Sequence, residues 1–182
     1  MRVYRDLGCV MLVISLLQVV PAQTSVGWKG IVPLRSSRTD VEARFGQPMK
    51  GTRDTYDTPN ERITITYATG ACSNDIHSLW RVSKDTVTDI LVAPLSFLPA
   101  DQLIASLKTR LTRIADMEIK GKFQYYSRDG AIEVQSTVLE DRRETVDYFV
   151  LRPGSAGSKL KCRNEPPAKT TDTTTEEQRP RI

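Results

Sequence analysis

Three cysteines occur in this chain. Two of them, Cys72 and Cys162, stand about 90 residues apart with no other cysteine between them. A bond between them would tie an early loop to the far end of the chain, which limits the admissible folds more than any other feature of the sequence. Whether the bond forms depends on the compartment. The first 22 residues bear on that. Arg2 and Arg5 face a single acid, Asp6; residues 9–20 (CVMLVISLLQVV) are apolar apart from Ser15 and Gln18; and the small Ala22 follows at the expected cleavage point. This three-part pattern is that of a secretory signal. The apolar run is short for a membrane span, which needs about 20 residues. Residues 1–22 are therefore expected to be a signal peptide, and the protein is expected to be exported, to the periplasm or outside the cell.

Cys9 would leave with that signal. An even pair of cysteines in an oxidising compartment reads as a disulfide, and closing so long a loop stabilises by about 4 to 5 kcal/mol in the chain-entropy account. Two sharper readings compete. A zinc site would have to recruit Cys72, Asp75, His77 and Cys162, yet structural zinc sites usually pair their ligands at closer spacing. A Cys72–His77 nucleophile pair would need a third group to orient the imidazole, and an exported free thiol oxidises. The disulfide is the preferred expectation, with no metal and no cofactor.

At the other end, residues 163–182 (RNEPPAKTTDTTTEEQRPRI) mix acids, bases, threonines and prolines, with only a terminal isoleucine as a large apolar residue. Such a segment buries too little to offset the entropy of ordering, so it is expected to be a disordered tail. Residues 27–162 are left as a single domain of ordinary size.

Within that domain the pattern alternates between helix and strand signals. SSRTDVEARFGQP (residues 36–48) carries Ser37 or Thr39 as a cap, acids in the first turn, and Gly46 and Pro48 as stops. Its Val41 and Phe45 face one way. ERITITYATG places Ile63, Ile65 and Tyr67 on one side and Thr64 and Thr66 on the other, a half-buried strand. Residues 53–57 can pair with it across TPN. DTVTDILVAP is a further strand. PADQLIASLKTRLTRI predicts a helix in which Leu103, Leu107, Leu111 and Ile114 share a stripe, although Arg110 interrupts that stripe beyond residue 108. GKFQYYSRDGAIEVQSTV reads as a hairpin about Asp129-Gly130, and ETVDYFVLRP as the last strand. GSAGSK is expected to be a flexible loop leading to Cys162. The expected fold is α+β: an antiparallel sheet of about five or six strands with two short helices on one face. The order also permits a tandem arrangement of two helix-plus-three-strands units.

The combination of GWKGIVPLRSSRTDVEARFGQP, YATGAC, W-x-V-x-x-DTV, YY…GAIEV and LKC resembles a family of uncharacterised exported bacterial proteins over residues 27–162. That resemblance implies a secreted domain with a disulfide, and no site residues. SSRTDVEARFGQP by itself resembles the helix motif of small outer-membrane-assembly lipoproteins and the helix-plus-sheet unit of β-lactamase-inhibitor proteins. This chain departs from the lipoproteins in lacking a lipid-attachment cysteine after the apolar run. The likeness favours protein binding over catalysis, although fold analogy does not fix function.

The chemistry of the chain points the same way. It contains one histidine, His77, and no G-x-S-x-G elbow, phosphate loop or H-E-x-x-H. Glu140 and Asp141 fall in EDRRE, which reads as a solvated turn. The net charge of +4 favours an anionic partner, but the bases are interleaved with acids and no nucleic-acid motif accompanies them. Trp28 and Trp80 are candidate interface anchors, each also able to serve the core. The expected function is a non-catalytic, exported binding or envelope-associated module. Its partner would be a protein or cell-envelope component; peripheral membrane contact is compatible with this, and no specific nucleic acid is implied. The alternative is an exported hydrolase or metal-dependent enzyme using His77.

Overall fold

A computed structural model describes residues 26–52, 54–72 and 79–162. Residues 1–22, expected to be a signal peptide, residues 163–182, expected to be a tail, and Asp75 and His77 lie outside the described residues. The described chain is α+β, built on one antiparallel sheet of seven strands in the order β1-β2-β3-β7-β6-β5-β4. The strands are β1 (Thr55–Asp57), β2 (Glu61–Tyr67), β3 (Val87–Pro94), β4 (Leu111–Ala115), β5 (Lys122–Ser127), β6 (Ile132–Val138) and β7 (Glu144–Leu151). Helix α1 (Arg38–Phe45) precedes β1, and α2 (Ala100–Ser106) joins β3 to β4. Two meanders, β1-β2-β3 and β4-β5-β6-β7, therefore meet where β3 pairs with β7, with Val92 opposite Phe149 and Ile90 opposite Leu151.

Register decides which side chains form the core. Ile63 lies opposite Val92 and Ile65 opposite Ile90, while Val134 lies opposite Phe149. Because side chains alternate along each strand, these residues share one face. They are buried in one cluster with Val41 of α1 and Ala100 and Leu103 of α2. Tyr56 and Phe149 are among the largest side chains fully enclosed there. The opposite face carries Thr64, Thr66, Gln124, Gln135 and Tyr148 at the alternate positions.

Helix α1 forms as its sequence dictates. The Asp40 amide donates to Ser37 Oγ at 3.3 Å, and the Ser37 amide donates to Asp40 Oδ2 at 2.8 Å. This reciprocal capping box satisfies amides that the first turn leaves unpaired. Arg38 sits at the positive end of the helix dipole, an unfavourable place for a cation. It is held there by Asp54, by Asp85 at 3.1 Å and by the Tyr67 ring 4.0 Å beneath it. These partners, Asp54 first, push its pKa further up.

Four expectations are corrected. The sheet has seven strands, not five or six, and the second unit is a helix with four strands, so the helix-plus-three-strands tandem does not hold. The missing strand is β4: residues 111–115, which continue the leucine stripe of α2, pair with β5, with Arg113 opposite Tyr125. The helix ends early because Lys108 takes a left-handed backbone (φ 49°), after which the chain re-enters the sheet at its far edge. Residues 155–160 are a short 3-10 helix, Ser155–Leu160, rather than a loop. Gly157, within this helix, is buried; a Cβ there would come within 2.7 Å of Pro153 Cβ and 3.1 Å of Trp80 Cζ3.

The cysteines meet at the end of that 3-10 helix. Cys72 and Cys162 are bonded, with Cα atoms 5.6 Å apart. The Cys162 amide donates to Leu79 O at 2.8 Å and the Arg81 amide to Leu160 O at 2.6 Å, so backbone bonds accompany the covalent one.

Candidate functional site

Helix α2 is only seven residues long; it joins β3 to β4 and packs against β7. The segment before the helix is fixed to β7: the Val146 amide donates to Leu98 O at 2.9 Å, and Pro99 bridges Thr145. Between α2 and the β5–β7 half of the sheet lies a cleft of about 680 Å3. Phe97, Pro99, Ile104 and Ala105 form its apolar wall, and Tyr125 and Glu144 form its polar floor. Arg143 stands over the Phe97 ring, 4.7 Å from its centroid.

Four strands supply the network that holds the floor's carboxylate. Arg113 on β4, Tyr125 on β5, Ser136 on β6 and Glu144 at the start of β7 converge on one carboxylate. The Tyr125 hydroxyl donates to Glu144 Oε1 at 2.8 Å, and the Ser136 hydroxyl donates to the same oxygen. Arg113 donates from Nη2 to Glu144 Oε2 at 3.1 Å and from Nε to the Tyr125 oxygen at 2.9 Å. The guanidinium also lies 3.4 Å above the Phe123 ring. Burial, and after it the Glu144 carboxylate, push the Tyr125 phenol above its ordinary pKa. Tyr125 thus stays a hydrogen-bond donor across the physiological range. The network is charge-balanced, with Glu144 held by three donors.

The Glu144 carboxylate is thus bonded to an arginine, a phenol and a hydroxyl at once. What the cleft offers is an apolar wall beside fixed polar atoms, the usual composition of a binding pocket.

The residues singled out from the sequence lie elsewhere. Trp28 is turned inward: its ring packs edge-on against Phe149, centroids 4.8 Å apart, and its indole N–H donates to Glu61 Oε1 at 3.0 Å. Trp80 is half-buried and pairs with Lys161 beside the disulfide. It lines a smaller cleft of about 410 Å3 with Asp89, Asp129 and Arg152. Cys72 and Cys162 are bonded to each other, so neither is a thiolate ligand, and among the described residues no cluster of His, Cys, Asp or Glu could hold a metal ion. Glu140 and Asp141 are exposed in the β6–β7 turn. The residue that sequence reasoning missed is Glu144, the last letter of EDRRE. Its only signal was its place as the first residue of the last strand, ETVDYFVLRP. Arg113 could be placed only by reading residues 111–115 as a strand.

No protein-family model matches the chain, and no curated protein matches it. Among solved structures, it is similar to a DUF4309 family protein (YjgB) from Bacillus subtilis, with a TM-score of 0.39 and 15% sequence identity over 69% of this chain and 83% of that one. At that distance the likeness says nothing of what either chain binds.

Proposed function

We propose that this protein is an exported, non-catalytic binding module that receives an apolar side chain of a protein or cell-envelope component in the cleft between α2 and β5–β7. The observation that carries this reading is the Glu144 carboxylate, fixed by Tyr125, Ser136 and Arg113 under the wall of Phe97 and Ile104. A site so bound is preorganised, and preorganisation lowers the cost of association. Export is supported by the Cys72–Cys162 bond, which persists in oxidising compartments. Among the described residues no helix is long and apolar enough to cross a membrane.

The test is site-specific photocrosslinking of the full chain in its native envelope. A photoreactive residue at Ile104 should capture a partner, and one at Thr64, on the other face of the sheet, should not. Equal capture at both positions, or none at Ile104, would remove the proposal. So would turnover in a hydrolase screen that is lost in His77→Ala.

A further inference from the structure

The two ends of the sheet are built differently. At one end β1 is three residues long and is followed by Pro59, so it offers little to a strand from outside. At the other end β4 has five residues, without proline or bulge. Among the described residues no strand pairs with its outer edge. Natural sheets usually blunt such an edge with outward charges, proline or a bulge. The one charge within β4 is Arg113, which is turned inward onto Glu144 and Phe123. Ile114 is instead left 52% exposed.

The backbone fixes which residues could pair outward. The Asp116 amide donates to Lys122 O at 3.0 Å, so the even-numbered positions of β4 turn their backbone groups to β5, opposite Gln124 and Tyr126. Leu111, Arg113 and Ala115 turn theirs outward. An antiparallel partner must set odd positions against odd positions. A second copy of this chain satisfies that condition about a two-fold axis through Arg113. Leu111 then lies opposite Ala115 of the second copy, and Thr112 opposite its Ile114. Arg110 lies opposite its Asp116. Sliding the strands by two residues one way sets Arg110 against Ile114 and loses the ion pairs; sliding the other way sends Arg110 toward Glu118, which lies in the turn beyond β4, so the register about Arg113 is the one that sets opposite charges at the strand's two ends. The central Arg113 pair meets with each guanidinium already bonded to its own Glu144. Asp116 is fixed for this role, since its Oδ1 accepts from the Glu118 amide at 2.8 Å and the Ile119 amide at 3.0 Å.

We propose that β4 is a homodimer edge: two copies join β4 to β4 antiparallel about Arg113, extending the sheet across a two-fold axis, with Arg110–Asp116 pairs at both ends setting the register. Isologous contacts of this kind use one patch twice. A cross-strand opposite-charge pair is favourable and a like-charge pair is not.

Sedimentation equilibrium on the mature, oxidised chain tests this, with three variants. Wild type should associate to a dimer as concentration rises. Ala115→Pro removes an amide hydrogen that points outward, so it should give a monomer with unchanged circular dichroism. Arg110→Asp and Asp116→Arg each set like charges opposite one another, and each should raise the dimer Kd about tenfold or more. Mixing these two single variants in equal amounts should restore dimer, because each supplies the charge the other lacks. A chain that stays monomeric at every attainable concentration would overturn the proposal. So would a dimer that survives Ala115→Pro, or single variants that fail to complement when mixed.

Discussion

Glu144 is where the concave face depends most on one side chain. Its carboxylate accepts from Tyr125, Ser136 and Arg113, and its side chain is only 20% exposed. Removing it leaves two hydroxyls and a guanidinium without their acceptor, and an unsatisfied buried partner costs more than the bond itself. Glu144→Ala should therefore lower unfolding stability by about 2 kcal/mol, whereas Glu140→Ala, in the exposed turn, should fall within about 0.5 kcal/mol of wild type; urea denaturation checks both. The phenols make a second prediction at this scale. Burial is the leading cause that raises the pKa of Tyr67, Tyr125, Tyr126 and Tyr148. A group whose folded pKa is raised contributes stability that is complete below its unfolded pKa, about 10 for tyrosine, and that is lost as pH climbs through the raised value. Phenolate absorbance should therefore rise mainly above pH 10, together with loss of secondary structure. Ionisation of all the tyrosines near 10 in a chain that remains folded would contradict this.

At the level of elements, the parts legible in the sequence were those whose pattern serves a single purpose. ERITITY alternates because one side of β2 is core and the other is open, and the Ser37 cap and Gly46 stop mark α1 because both satisfy backbone groups locally. Residues 111–115 carry no such mark. Four of the five residues of β4 are exposed, so no buried-exposed alternation is available, while Leu111 and Ile114 happen to continue the spacing of Leu103 and Leu107. The Glu144 network was illegible for a related reason: its members come from four strands and meet only through register. The 3-10 helix was hidden because its small residues are selected for close approach and not for turn formation. That origin can be tested. Gly157→Ala would push a methyl against Pro153, Leu34 and Trp80, and overpacking of this kind costs about 1 to 3 kcal/mol. Ser155→Ala, at an exposed position of the same helix, should be near neutral; thermal melts of the two variants separate these outcomes.

For the molecule as a whole, the two meanders share a single seam, the β3–β7 ladder, and the Cys72–Cys162 bond lies on the same side of the chain's history as that seam. It joins the stretch after β2 to the stretch after β7. Reduction should lower stability by about 4 kcal/mol in the loop-entropy account, read as a drop in melting temperature on adding a thiol reductant. Cys72→Ser/Cys162→Ser should show the same drop and no further response to the reductant. The seam also imposes an order on synthesis. β3 is complete at Pro94, but its second neighbour ends at Leu151, so the first meander must wait, with one edge bare, until the 57 residues from Leu95 to Leu151 have followed it. Pairings so distant along the chain form slowly. A chain of this layout is therefore most exposed to wrong partners while it is still emerging, and the last strand to arrive is the one that closes the gap.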